Sequence, residues 1–214
     1  MTTIQTISLL VYAIGLIYVI TKTDYKRIIK ERKWQHIVFG STVAVLFLWS
    51  FRISIYDGLV IHFLWLTTLT LVLGFRWAVL VASTVLIIMT IIGNEQWDML
   101  GVNGLIGVFL PILITYGIFA FSFHRIPRHL FVYIFLCAFF PGAITIGVKM
   151  LALGGYYFVE GVYTWDIIQY NYINMTLLMI FPEAFFNGFS ITCLVIYKPD
   201  LVHTFHDKFY IDGK

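Results

Sequence analysis

Long apolar runs, each close to the length that crosses a bilayer, dominate this chain of 214 residues. A membrane-spanning helix needs about 20 predominantly apolar residues. Charged residues make up only 12% of the chain, against about 25% in soluble domains. The sequence therefore predicts an all-α fold, a polytopic membrane helix bundle that forms a single integral membrane domain over residues 1–214. The seven predicted transmembrane helices are residues 4–20, 37–51, 58–74, 77–93, 100–121, 130–151 and 172–197.

The distribution of basic residues predicts how this bundle is oriented. All but Arg52 and Lys149 of the 14 Lys and Arg residues fall after the first, third and fifth predicted helices or in the C-terminal tail. Cytoplasmic loops carry the excess of Lys and Arg in membrane proteins. We therefore expect the N-terminus outside, the C-terminus in the cytoplasm and the lipid bilayer as surroundings. Lys149, near the outer end of the sixth predicted helix, is expected to snorkel to the interface.

Motifs for nucleotide hydrolysis and for several enzyme classes are absent from the sequence. It contains no GxxxxGK[ST], HExxH, GxSxG or CxxC pattern. A lone histidine and a lone carboxyl at different membrane depths also do not form an acid–base pair, which needs heavy atoms within ~3 Å. The sequence therefore predicts a protein that is not an enzyme, holds no covalently bound cofactor and does not bind nucleic acid.

His62 is the ionisable residue that most needs an explanation. It lies in an apolar run that has no charge between Asp57 and Arg76. An unsatisfied polar group in hydrocarbon costs several kcal/mol, so something other than lipid must solvate the ring. The ring either has a metal or substrate role or is satisfied by a neighbouring backbone carbonyl. Asn103 is expected at a similar depth in the fifth predicted helix.

A carboxyl group near the middle of the last predicted helix is the second polar feature. Glu183 is about 11 residues into that helix, which places it near the bilayer midplane at 1.5 Å rise per residue. Asn187 follows one turn later on the same face, and Pro182 frees a backbone carbonyl beside them. Such a site is either a structural hinge or a partner site.

Glycine and aromatic residues at the outer side predict how the helices pack there. Gly101, Gly104 and Gly107 are spaced three residues apart, which favours close approach of another helix. The longest predicted outer connection, residues 152–171, is rich in Tyr and Trp. It either packs at the membrane interface or caps a cavity from outside.

Three segments, read in order, resemble one known family. The segments are GLVIHFLWLTTLTLVLG at residues 58–74, GNEQWDMLGVNGLIGVFLP at 93–111 and PEAFFNGFSITCLVIYKPDLV at 182–202. They are similar to the CbiM/NikM type, the substrate-capture membrane subunit of energy-coupling-factor ABC transporters for cobalt and nickel. The resemblance covers residues 57–202.

The resemblance implies a metal site near the outer face. In that family the donors are the terminal amine, the amide and imidazole of a second-position histidine, and a histidine that corresponds to His62; such nitrogen donors suit Ni(II) or Cu(II). Met1 would supply the amine, and Asn103 would orient a ligand. This chain has Thr2 where the family has its second histidine, so one donor is missing. Asp57 is a candidate replacement donor, as are Asp98 and Met99.

The sequence thus predicts a substrate-binding subunit for a divalent transition metal of the cobalt or nickel class, with the metal as substrate. An ABC ATPase and a coupling membrane subunit would be its partners in a bacterial inner membrane, and rearrangement around Glu183 and Asn187 would open the path inward. The alternative is a non-transporting accessory or assembly subunit of a larger membrane complex that retains the same fold. The missing second-position histidine favours that alternative.

Overall fold

The computed structural model describes residues 1–54, 56–126 and 129–205. Arg128, Lys208 and Lys214, which contribute to the predicted charge asymmetry, lie outside these residues. The described part of the chain contains eight helices and a two-stranded sheet. The helices are α1 (Thr3–Lys22), α2 (Lys26–Lys30), α3 (Arg32–Ser50), α4 (Leu66–Leu73), α5 (Phe75–Ile91), α6 (Trp97–Arg125), α7 (Leu130–Val159) and α8 (Trp165–Tyr197); the strands are β1 (Ile53–Ser54) and β2 (Val60–Ile61).

The helices form the predicted membrane bundle. Within the described ranges, four of them, α1, α6, α7 and α8, are long and apolar enough to cross a bilayer, and α5 is a shorter apolar helix. Large apolar side chains cover their outward faces, as lipid contact requires: Phe181, Phe185 and Phe189 are all exposed along α8. The all-α membrane fold is therefore confirmed, while the number of seven crossings stays a prediction.

The third predicted helix, residues 58–74, is wrong over its first half. The chain there forms β2, paired antiparallel with β1, and then a segment without regular secondary structure that ends at Trp65. Only Leu66–Leu73 is helical. Apolar length alone does not separate a helix from a buried extended segment. Non-helical backbone at membrane depth is tolerated where protein surrounds it, and all eight residues of α4 are buried.

Polar contacts define the two ends of the bundle. At one end, Thr2 Oγ1 donates to Glu160 over 2.8 Å, which joins the start of α1 to the end of α7. At the other, Lys33 pairs with Asp200, which joins the start of α3 to the segment after α8. We call the first the outer end and the second the inner end, following the predicted orientation.

Two glycines of α6 let α1 pack directly against it. A Cβ on Gly101 would lie 2.3 Å from the backbone nitrogen of Leu9, and one on Gly104 would lie 2.4 Å from the ring of Tyr12. The predicted close packing is therefore found at these two positions. Gly107 has open space around it instead and lines a cavity inside the bundle. The same helix thus packs on one side and borders a cavity on the other.

The part of α6 that borders this cavity is a π-helix. Residues Asn103–Phe109 are π-helical, and Pro111 follows two residues later. Proline has no N–H to donate to the carbonyl four residues back, so a regular helix is interrupted there. A π turn, rare and frequent at functional sites, absorbs this interruption. Asn103 lies at the start of the turn.

Candidate functional site

Tyrosines and one lysine hold the β1–β2 hairpin against the outer end of α7 and α8. The carbonyl of Val60 accepts from Lys149 Nζ at 3.2 Å and from Tyr172 Oη at 3.3 Å. Tyr163 Oη donates to the carbonyl of Asp57 over 2.9 Å. Residues 152–171, predicted as a connection, are mostly helical, and Tyr163 within them contacts the hairpin.

A narrow cavity of about 30 Å³ lies beneath this hairpin. Four polar residues line it, and they come from separate parts of the chain: His62, Glu95, Asn103 and Lys149. His62 and Asn103, which the sequence predicts at similar depth, thus line the same cavity. Lys149 does not snorkel outward; it is 5% exposed and points into the bundle, because the Val60 carbonyl offers it an acceptor there.

The ring of His62 is both satisfied and available as a ligand. Its Nδ1 lies 2.9 Å from the carbonyl of Phe63, and a carbonyl only accepts, so Nδ1 carries the proton. In the neutral ring the lone pair is then on Nε2, and such a carbonyl contact is the usual way a metal-binding imidazole is oriented. Trp49 packs on the ring with centroids 5.2 Å apart. Both sequence interpretations of His62 remain compatible with this geometry.

Glu95 is a cavity residue that the sequence did not single out. Its carboxylate pairs with Arg52 and accepts from Asn103 Nδ2 over 2.7 Å. Both side chains of the ion pair are about one sixth exposed, at 15% and 16%. In the sequence Glu95 is one of several acidic residues in an outer loop; in the fold it lies beside the half-buried amide of Asn103, at the start of the π turn of α6.

The N-terminus is built as a helix cap. Thr2 N donates to Gln5 Oε1 over 2.7 Å and Gln5 N donates to Thr2 Oγ1 over 3.3 Å, which is a capping box. Gln5 Nε2 lies 3.5 Å from Asp98 and 3.6 Å from the sulfur of Met99. Met1 is 66% exposed. The structure thus places Thr2, Asp98 and Met99 around Gln5 and not around His62.

Asp57 faces an outer groove that adjoins the cavity of His62. The groove has a volume of about 220 Å³ and is lined by Asp57, Gly58, Val60 and Glu95. The last three of these residues also line the His62 cavity. Asp57 itself is exposed. Asp57 therefore lines the groove but not the His62 cavity, whereas Glu95 lines both.

Glu183 and Asn187 hold the start of α4. Glu183 accepts from the backbone N–H of Leu64 at 2.9 Å and of Trp65 at 2.7 Å. Asn187 Oδ1 accepts from the N–H and the hydroxyl of Thr68, both at 2.9 Å. Both side chains are completely buried. The N-cap position of α4 is occupied by Trp65, with φ of 52°, whose side chain does not cap the helix. Glu183 and Asn187 supply the acceptors that an N-cap side chain would ordinarily supply.

This arrangement separates Glu183 from the cavity of His62. The carboxylate oxygens are occupied by two backbone donors and by Asn187 Nδ2, which donates to Oε1 over 2.8 Å. Acceptor oxygens at a helix N-terminus are favourable, because the first N–H groups of a helix have no partner within the helix. Glu183 and Asn187 therefore do not face His62; they fix the segment on which His62 is carried.

Cavity size alone does not identify the site. A groove of about 580 Å³ lies toward the inner end between α3, α4 and α8. Lys33, His36 and Ser41 are its polar members, and the remaining lining is apolar or glycine, apart from the indole N–H of Trp65. Within the described residues no group of three or more His, Cys, Asp and Glu side chains is placed to hold a metal ion. The His62 cavity differs from this larger groove in its convergent polar groups.

Two solved structures share this fold. One, described as a truncated transition metal transporter, has a TM-score of 0.71 at 16% identity, with 90% of this chain and 92% of that chain covered. The other, described as a transition metal transporter, has a TM-score of 0.66 at 15% identity, with 89% and 87% covered. At these identities the likeness shows the fold. Comparison with curated proteins gives no match.

The chain is thus an integral membrane helix bundle with a cavity beneath the hairpin at its outer end. The model of the CbiM family, the cobalt uptake substrate-specific transmembrane region, matches residues 2–201. The chain belongs to this family. The resemblance carried by the three sequence segments is thereby confirmed, and the chain is a transporter component of the membrane.

Proposed function

We propose that this protein is the substrate-binding membrane subunit of an energy-coupling-factor-like transporter for a divalent transition metal of the cobalt or nickel class. The observation that carries the proposal is the His62 ring, oriented by the Phe63 carbonyl with Nε2 as its lone-pair atom in a polar outer cavity. An ABC ATPase and a coupling membrane subunit would supply energy, since the chain has no nucleotide-binding motif. A bacterial cytoplasmic membrane is the proposed location.

The proposed metal ligands differ from those of the family. His62 supplies a nitrogen, and Glu95 supplies the carboxylate that borders the same cavity. Asn103 would hold Glu95 in position, as its amide does now. The terminal amine of Met1 and the carboxylate of Asp57 would join only after movement of the N-terminus or the hairpin. A mixed nitrogen and oxygen site favours first-row divalent metals without selecting one of them.

The proposed route inward follows α4. This helix leads from the segment of His62 to the inner end, where Val72 accepts from the His203 N–H over 3.1 Å. Glu183 and Asn187 hold its start against α8. Release of the metal to the inner side would require these contacts to break, which makes both residues part of the proposed pathway without making them ligands.

Metal binding by purified protein tests the proposal. His62→Ala removes the nitrogen ligand, and we expect the affinity for Ni²⁺ or Co²⁺ to fall at least tenfold in equilibrium dialysis, since a lost ligand costs well over 1.4 kcal/mol. His36→Ala is the matched control, because His36 is exposed on α3 near the inner end and its loss should leave binding unchanged. Equal binding by the wild type and His62→Ala would show that the site is wrong.

A non-transporting accessory or assembly subunit is the second candidate. The capping box of Thr2 favours it, because the second residue stabilises α1 and is turned to Gln5. On this alternative the purified protein binds no Ni²⁺, Co²⁺, Cu²⁺ or Zn²⁺ above background and co-purifies with a membrane enzyme. Metal binding that depends on His62 would argue against it.

A further inference from the structure

Lys149 is a cationic side chain buried in the cavity proposed to receive a cation. It extends from α7, is 5% exposed and shares the cavity wall with His62. Its Nζ donates to the Val60 carbonyl, two residues before His62, over 3.2 Å. Burying an ammonium group is costly unless it is paired and hydrogen-bonded. An apolar side chain of similar volume would fill this space without that cost.

The charges around the cavity leave Lys149 without full compensation. Glu95 is the carboxylate on the cavity wall, and it is already paired with Arg52 and bound by Asn103. Glu183 is turned to the start of α4, where its oxygens accept from backbone N–H groups. A divalent ion on His62 Nε2 would therefore lie beside a like charge, and in a partly buried site such repulsion exceeds that in water several-fold.

We propose that Lys149 sets the metal affinity of the His62 cavity by acting as a resident cation that competes with the incoming metal. This inference rests on the proposed function, because it assumes that a metal binds at His62. The ammonium competes in two ways: it repels the divalent ion, and it holds the Val60 carbonyl that borders the same space. Metal capture then requires the Lys149 side chain to leave the cavity.

The geometry allows this idea to be tested without destroying the fold. If Lys149 is removed, the Val60 carbonyl keeps a donor in Tyr172 Oη, 3.3 Å away. Methionine is unbranched, flexible and apolar, so Lys149→Met fills a similar volume without the charge. Lys149→Gln is a second uncharged variant that retains an N–H donor. Lys149→Arg keeps a positive charge at the same position.

The experiment measures Ni²⁺ affinity of the full chain in detergent by equilibrium dialysis. We expect Lys149→Met and Lys149→Gln to bind at least tenfold more tightly than the wild type, and Lys149→Arg to show no gain. Adding His62→Ala to Lys149→Met should abolish the gain. Lys198→Met is the matched control, because Lys198 is an exposed lysine beyond α8, and it should bind like the wild type.

The outcomes separate this inference from the proposed function. Equal or weaker binding by both uncharged variants overturns the role of Lys149, and His62-dependent binding by the wild type would then still support the transporter. Tight, His62-dependent binding by Lys149→Met beside a wild type that binds nothing supports the role of Lys149 and overturns metal capture by the natural protein. Absence of binding by every variant overturns both. Size-exclusion elution and helicity identify a variant that has unfolded. If either Lys149→Met or Lys149→Gln is unfolded, the binding measured for the other variant decides the role of Lys149.

Discussion

At the scale of single residues, the polar groups inside the bundle divide into two sets with different tasks. Glu183 and Asn187 satisfy backbone donors at the start of α4, which no other cap satisfies. His62 and Glu95 face the cavity instead. The sequence treats Glu183 as either a hinge or a binding site. The contacts favour a structural role, and any role in transport would be exerted through α4.

Asn187→Ala tests the structural role. The substitution leaves the buried N–H of Thr68 without its acceptor and leaves the hydroxyl only the backbone carbonyl of residue 187, 3.4 Å away. We expect the free energy of unfolding to fall by about 1–3 kcal/mol. Thermal unfolding in detergent measures the change. Asn174→Ala is the matched control on the same helix, because Asn174 is exposed and its loss should change the stability by less than about 0.5 kcal/mol. Equal stability of the two variants would contradict the capping role.

At the scale of elements, the β1–β2 hairpin is the part that positions the candidate site. It carries the chain from the end of α3 to His62 and forms the wall between the Asp57 groove and the His62 cavity. Its turn depends on Gly58, whose φ of +82° is unfavourable for other residues. Tyr157 packs so closely there that a Cβ on Gly58 would lie 1.8 Å from its hydroxyl oxygen.

Gly58→Ala should therefore displace the hairpin. The added Cβ both strains the turn and collides with Tyr157, so we expect a lower melting temperature and weakened metal binding at His62. Gly93→Ala separates the two effects, because Gly93 has a similar φ of +88° with nothing within 4 Å of a Cβ. It should show the backbone strain, on the order of 1 kcal/mol, without loss of metal binding. Unchanged binding by Gly58→Ala would mean that the hairpin does not position His62.

At the scale of the whole molecule, the bundle has a lysine-rich end and, opposite it, an end that carries the hairpin. Lys30, Lys33 and Asp200 lie toward one end and the hairpin lies at the other. The positive-inside rule predicts that the lysine-rich end is cytoplasmic. This orientation places the His62 cavity on the outer side, where a metal would be captured from outside the cell.

Labelling of introduced cysteines tests this orientation. In intact cells a membrane-impermeant thiol reagent should label Asp57→Cys, in the hairpin, and should label Lys30→Cys only after permeabilisation. Both parent residues are exposed, so access to the reagent depends on the side of the membrane. The background is the wild type with its own Cys137 and Cys193, which are buried and half-buried. The reverse pattern would place the cavity on the cytoplasmic side.

The amino-acid sequence by itself determined the membrane class, the helical fold, the family and most helix positions. These follow from properties summed along the chain: apolar length, charge distribution and the order of short motifs. It also predicted His62 and Asn103 at similar depth, and both residues line the same cavity. The ligand assignments remain predictions, because they concern a bound metal.

Only the tertiary structure decided which polar groups meet. Residues 58–65 are as apolar as a helix, yet they are not helical: α4 begins only at Leu66, where Glu183 and Asn187, more than 115 residues away, accept the N–H groups. Lys149 points inward because the hairpin brings the Val60 carbonyl to it. Glu95 joins the cavity through Arg52 and Asn103. Such partners are distant in sequence, and their hydrogen bonds form only when the bundle closes.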